Sequence, residues 1–393
     1  MARVGPAGPP GMMASVAPRP GSAREVGGLF LRLGTIAFGG PAAHVALMRE
    51  ELVRRREWVS DQRFADLMGA TNLVPGPNST ELAIHLGHER AGWRGLLLAG
   101  AAFILPAALM VTGLAWAYVE YGGTPAVDGL LYGVVPVVVG IIAWALAGLG
   151  RTVLASPWLV VLAGAALAAY LLGANELVVL AAGAVVAVLA HGLRSAADRQ
   201  HALVLPLLAG TPVFTDPTGS QLAQLFLTML KIGAVLYGSG YVILAFLEGD
   251  FVDRLGWVSH QQVLDAASVG QVTPGPVFTT ATFLGYVVAG LPGAVLATVA
   301  IFLPSFVFVA LLTRLATWLR SRAWTSALLD GVNATALALM AGVSLELGRS
   351  ALVDPLTMGL AVATVVLLWR TRLNSAWFIA AGALVGVVRL LAT

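Results

Sequence analysis

The 393-residue chain has no cysteine, one lysine and few charges of either sign. Without cysteine there is no disulfide, no thiolate metal ligand and no cysteine nucleophile; the redox state of its compartment stays open. Asp, Glu, Lys and Arg together make 11% of the residues, against roughly 25% in soluble domains. The net charge of +3 is small for this length, so basic residues inform on topology, and nucleic acid is excluded as a partner. Segments that alternate apolar and polar residues are missing, which argues against a transmembrane barrel. There is no Walker loop, no His-Glu-x-x-His and no Gly-x-Ser-x-Gly, and the six histidines are scattered. An enzyme, a metal site and a cofactor are therefore not expected.

Apolar residues reach 58%, with a mean hydropathy of +0.85. Many runs approach the ~20 residues a helix needs to cross a bilayer. The fold class is all-α, a polytopic membrane protein.

The chain repeats itself. Adding 199 to a first-half number carries Gly34 to Gly233, Gly39 to Gly238, Trp58 to Trp257, Gln62 to Gln261, Asp66 to Asp265 and Pro75-Gly76-Pro77 to Pro274-Gly275-Pro276. At 198, Gly87, Gly92, Gly95 and Pro106 meet Gly285, Gly290, Gly293 and Pro304; at 202, Asp128-Gly129 meets Asp330-Gly331. A duplicated unit is the first fact to read. Residues 1–23, rich in Pro, Gly and Ala, are expected as a disordered tail. Residues 24–193 and 221–393 are the two transporter-like repeats, and 194–220 a cytoplasmic linker.

Charge sets orientation, because Arg and Lys stay cytoplasmic. The 49–63 connection holds Arg49, Arg54, Arg55, Arg56 and Arg63; its counterpart holds Glu248, Asp250, Asp253 and Arg254. Opposite bias in matched loops predicts inverted-topology repeats. Each has about five crossings, with 25–47 the first of unit one, plus a re-entrant Pro-Gly-Pro segment at 66–88. On that count the tail, with Arg3, Arg19 and Arg24, falls on the outer side.

Gly39-Gly40-Pro41 and the two Pro-Gly-Pro motifs break helices. Broken backbone survives in lipid only against protein or a water-filled cavity. Helices resuming after Gly76 and Gly275 offer free N–H groups and positive dipole ends, a setting for an anion. Asn78 and Ser79 cap the first, and Thr279 lines the second. Arg32 and Lys231 match at the 199 offset; two cations inside crossings suit a doubly charged anion, unless both snorkel to headgroups. Asn72 and Gln271 are a matched polar pair that could donate to oxygens or to a neighbouring helix. His44 and Glu81, unmatched, are candidates for a coupling proton, with a structural role as the alternative.

Phe38-Gly-Gly-Pro-Ala-Ala-His44, Glu57-Trp58-Val59, Val74-Pro-Gly-Pro77 and the Gly87/Gly92/Gly95 pattern resemble the chromate ion transporter family in its long, two-domain form. The second unit has Tyr237-Gly-Ser-Gly240 in place of the first motif, which implies divided tasks. The resemblance implies a secondary transporter in the bacterial inner (plasma) membrane that exports chromate, with sulfate as a competitor. An oxyanion channel and a sulfate uptake carrier are the alternatives, and glycine-rich helices leave a homodimer open.

Overall fold

The computed structural model describes residues 21–38, 40–71, 74–122, 124–196, 220–237, 240–320, 323–371 and 373–392. Most of the expected tail and linker, together with Gly39 and Asn72, lies outside the described residues. Among the described residues there is no strand.

The first unit comprises α1 (Ala23–Ile36), α2 (Gly40–Arg49), a π-helical turn (Glu50–Arg55), α3 (Asp61–Thr71), α4 (Asn78–Tyr121), α5 (Pro125–Val153), α6 (Pro157–Leu171) and α7 (Glu176–Ala196). The second comprises α8 (Gln221–Val235), a 3-10 turn, α9 (Ile243–Leu247), a π-helical turn (Glu248–Arg254), α10 (His260–Val272), α11 (Thr280–Arg320), α12 (Ala323–Ala351), α13 (Pro355–Arg370) and α14 (Ser375–Ala392). The elements correspond in order, down to the π-helical turns, except that a 3-10 turn and the short α9 stand where the first unit has α2, and a further 3-10 turn (Val277–Thr279) precedes α11.

The matched glycines acquire a reason. In α4, Ala91 and Gly92 leave helical geometry, with Gly92 at φ 56°; in α11, Ala289 and Gly290 do the same, with Gly290 at φ 61°. The chain reverses there. A Cβ on Gly87 would lie 3.0 Å from the Gly95 carbonyl carbon, and one on Gly285 would lie 2.9 Å from that of Gly293. Each long helix is therefore a hairpin of two limbs, 78–90 and 93–121 in α4 and 280–288 and 291–320 in α11. Only glycine lets the limbs approach this closely.

The expected first crossing at 25–47 also turns back. α1 runs alongside the second limb of α4 in the same direction: the Gly21 N–H donates to the Arg90 carbonyl at 2.9 Å, and Gly34 abuts the Phe103 backbone. At 1.5 Å per residue α1 covers about 21 Å before the Gly-Gly-Pro break. Beyond it, α2 and its π-helical turn return to the level of α1's start. There the Arg90 guanidinium lies over the Trp58 ring at 4.9 Å and pairs with Glu25 at 3.2 Å. α3 sets out from the same end, where Arg63 pairs with Glu89, and the first limb of α4 comes back after Pro-Gly-Pro. The unit thus begins as two hairpins whose open ends, with the start of α1, share one basic end.

The units interlock. α5 packs on α13 and α14 of the second unit, and α12 packs reciprocally on α6 and α7 of the first. The second limbs of α4 and α11 cross antiparallel, with Leu96 packed in one cluster with Val309, and Gly100 against Phe306. α1, α2, α3 and α4 keep a core of their own around Phe30, Leu33, Met48, Leu52, Phe64, Leu82, Leu86 and Phe103, while most of the remaining buried apolar residues form one continuous core. On the outside, Leu291, Val295, Val299, Leu303, Val307 and Leu311 make an exposed apolar stripe, one residue per turn. Such a stripe needs lipid. Among the described residues five helices are long and apolar enough to span a bilayer, so the protein is a polytopic all-α membrane protein.

Candidate functional site

The tips of the hairpins meet at the junction of the units. The Gly76 N–H donates to the Leu236 carbonyl at 2.8 Å, and the Gly275 N–H donates to the Ala37 carbonyl at 3.0 Å. Both partners differ by 199, so the two bonds are a reciprocal pair. Each break's free backbone group is satisfied by the other unit, as a buried break requires. Gly76 has φ 137° and Gly275 φ 96°, conformations open to glycine and strained for other residues. A Cβ on Gly275 would lie 2.7 Å from that of Ala107, and one on Gly76 would lie 2.7 Å from the Ser305 hydroxyl and would also strike the Glu81 carboxylate.

Beside these tips lies a cavity of about 490 Å³. Pro41, Pro77, Asn78 and Ser79 line it from unit one's tips, and Tyr237, Gly240, Val277 and Phe278 from unit two's. It extends along the end of α5 (Thr152) and the start of α12 (Ser326, Asp330, Asn333). Exposure grades along it: Thr152, Ser326 and Asp330 are exposed, Asn333 and Asn78 intermediate, and Ser79 buried. The mouth therefore lies at the basic end, where α5 finishes with Arg151. The first limb of α4 begins at the cavity wall, so the N-terminus carrying Asn78 and Ser79 faces it.

At the opposite end the two units are bonded to each other. The Tyr118 hydroxyl donates to Asp265 at 2.7 Å, Gln261 donates to the other carboxylate oxygen at 2.9 Å, and Tyr118 packs on Phe283 at 5.0 Å between ring centroids. α10 packs on α5, α12 and α14, whereas α3, its counterpart, packs chiefly on α4 and α11. The repeats are alike in elements and unlike in how tightly each end is closed.

Of the residues singled out in the sequence, Asn78 and Ser79 line the cavity, and Gly40 adjoins Pro41 there. Gly76 and Gly275 spend their N–H groups between the units. Gln271 accepts from the Tyr241 hydroxyl at 3.3 Å, and the Thr279 hydroxyl donates to its own turn at Pro276. Arg32 is exposed on α1 and has no ion pair among the described residues. Lys231 is paired with Asp250, which Arg254 also holds at 3.0 Å. Neither cation lines the cavity. His44 is bound at both nitrogens, to the Ala37 carbonyl at 2.9 Å and the Ser79 hydroxyl at 3.2 Å, and packs edge-on to Phe103. Glu81 is fully buried with the Ser305 hydroxyl beside its carboxylate across the interface, and neither has another hydrogen-bond partner among the described residues. Among the described residues no cluster of His, Asp and Glu could hold a metal. Sequence reasoning passed over Ser326, Asp330 and Asn333 as cavity residues; their recurrence every three to four positions in an otherwise apolar helix was the available signal.

The chromate transporter family model matches twice, over residues 24–188 and 223–387, the second match beginning and ending 199 residues after the first. The chain belongs to the chromate transporter family. It is 35% identical to a chromate transport protein of Cupriavidus metallidurans over 369 residues, 91% of each chain. It is 33% identical to a probable chromate transport protein of Synechococcus elongatus over 93% of this chain and 95% of the relative. A chromate transport protein of Pseudomonas aeruginosa is 32% identical over 389 residues. No solved structure matches. Family and apolar helices together make this a multi-pass protein of the bacterial inner membrane.

Proposed function

We propose that this family member exports chromate by alternating access, with the cavity at the hairpin tips as its substrate site. The observation that carries the reading is the position of that cavity. It lies between the tips of two homologous units, walled by residues of both, beside a helix N-terminus that favours an anion. Asn78 and Asn333 supply side-chain donors, with Arg32 and Lys231 outside the wall. The antiparallel crossing of α4 and α11 supports inverted repeats, and the basic end is then cytoplasmic by its arginines. The mouth at that end suits a carrier that loads from the cytoplasm. The separate core of α1–α4 suits a body that rocks against the rest. Closure by Tyr118 and Asp265 favours a carrier over a channel, since a channel would be open at both ends. Glu81 is the coupling group in this reading: a fully buried carboxyl with only the Ser305 hydroxyl beside it and no cation is costly as an anion and tolerable as an acid.

Energised everted vesicles test this. Labelled chromate should accumulate inside them and be lost on adding an uncoupler. Passive equilibration alone would replace the carrier by a channel; no flux in well-inserted protein would remove chromate as substrate.

A further inference from the structure

His44 and Ser79 form a buried polar pair that the fold does not require. The ring's Nε2 lies 2.9 Å from the Ala37 carbonyl and its Nδ1 3.2 Å from the Ser79 hydroxyl. Both residues are almost fully buried. At the 199 offset the second unit has Ile243 for His44, Phe278 for Ser79 and Phe302 for Phe103. Ile243 and Phe278 are buried too. Phe278 packs on Phe302 at 6.1 Å between ring centroids, much as His44 packs on Phe103 at 5.5 Å. An apolar version of this corner therefore exists in the same molecule. Burying polar groups in its place costs free energy, so packing does not account for them. Ser79 also lines the cavity, which connects the pair to whatever the cavity binds.

The bonds fix the hydrogens. The Ala37 carbonyl only accepts, so Nε2 carries the hydrogen of the neutral imidazole. Nδ1 is then an acceptor, and the Ser79 hydroxyl donates to it. A second proton on the ring reverses that bond. Nδ1–H donates to the serine oxygen, and the serine hydrogen is released to turn into the cavity by rotation about Cβ–Oγ. We infer that His44 is a positioning residue that takes up a proton when an oxyanion binds and thereby turns the Ser79 hydroxyl from the ring to the anion. The inference rests on the cavity's being the substrate site, as proposed above. The anion gains a donor and a nearby cation, and the imidazolium gains a counter-charge. By linkage each raises the other's affinity by the same factor. A bare tetrahedral dianion offers only acceptors, so chromate and sulfate turn the hydroxyl alike. The titratable groups on the elements packed around His44 are Arg32 on α1, Arg49 and Glu51 at the end of α2 and beyond, Glu81 and His85 on α4, and Tyr237 and Tyr241 before α9. None bonds to the ring, whose two nitrogens are taken. Glu81, already an acid in the reading above, has no further proton to gain.

The experiment titrates chromate calorimetrically into the purified protein, above the pH at which the free ion takes up its own proton. Buffers of different ionisation heat count the protons bound with each anion. The wild type should take up between about half a proton and one per anion, and its affinity should fall by up to about tenfold per pH unit. His44→Gln offers Ala37 a donor and Ser79 an acceptor but takes no proton. It should bind chromate more weakly, with no proton uptake and a flat pH dependence. Ser79→Ala keeps the imidazole and should lose most of the uptake, and it decides the matter should His44→Gln fail to fold. Chromate binding without proton uptake in the wild type, or uptake in either variant equal to the wild type's, would overturn the inference and leave the proposed function standing. Neither chromate binding nor vesicle flux in the wild type would overturn that function and this inference with it.

Discussion

The hairpin inside α4 predicts a specific cost for a single methyl group. A Cβ on Gly95 would sit 2.9 Å from the Gly87 carbonyl carbon, closer to its oxygen, and 2.9 Å from the Ala91 Cβ. The obstacle is backbone and cannot rotate away, so the limbs must part by about an ångström or more for the Cβ to clear the Gly87 carbonyl oxygen. Such overpacking costs about 1–3 kcal/mol. Alanine recovers up to about 1 kcal/mol through helix propensity. A Cβ on Gly113, further along the same limb, would have nothing within 4 Å, so Gly113→Ala should show only the gain. Gly95→Ala should therefore unfold about 3–6 °C below Gly113→Ala, taking a few °C per kcal/mol for a chain of this size or somewhat smaller. Gly293→Ala should match Gly95→Ala, because its Cβ would lie 3.0 Å from the Gly285 carbonyl carbon. Thermal unfolding in detergent, followed by tryptophan fluorescence, measures all three. Equal midpoints for Gly95→Ala and Gly113→Ala would refute the hairpin.

Other substitutions separate structural from transport roles. Lys231→Ala leaves the nearly buried Asp250 with Arg254 alone and should destabilise by about 1–3 kcal/mol, below the loss for a fully broken buried pair. Arg32→Ala should stay within about 0.5 kcal/mol of wild type and keep chromate flux; chemical denaturation and vesicle uptake check both. Glu81→Gln, a neutral isostere, should keep the thermal midpoint and exchange of chromate while abolishing uncoupler-sensitive accumulation; retained accumulation would remove Glu81 from coupling. Tyr118→Phe forfeits a hydrogen bond to a carboxylate worth about 1.5–3 kcal/mol, which favours opening of the closed end and should raise passive chromate leak roughly tenfold or more.

Much of the architecture was written at residue level because a duplicated chain keeps the glycines and prolines that its geometry requires. Gly34, Gly87 and Gly95 were visible as matched positions before their close backbone contacts were known, and Gly92 before its positive φ was. The depth of the first segment was not visible: Gly-Gly-Pro reads as a kink within a crossing, and only the return of Trp58 to Arg90 shows that the chain doubles back. The site was partly legible. Asn78 and Ser79 were singled out as caps and reach the cavity wall for another reason: Pro77 is the N-cap, with no side-chain cap bond, and the two residues form the first turn of α4 that faces the cavity. Lys231 looked like a substrate ligand because its partner Asp250 lies 19 positions on in another element, and pairing at that range has no sequence signature. Asp330 drew notice only as half of a repeated Asp-Gly, since what faces a helix across a cavity is set by tertiary packing.

The absence of cysteine makes the central claim directly testable. Asn333→Cys places a single thiol on the cavity wall. The decisive measurement is chromate flux after treatment with a membrane-impermeant thiol reagent, applied to everted and to right-side-out vesicles, with excess reagent removed first. The account predicts rapid labelling and loss of flux in everted vesicles, where the cytoplasmic face is exposed, and slow labelling in right-side-out vesicles. Labelling chiefly in right-side-out vesicles, or full labelling with flux intact, would contradict it.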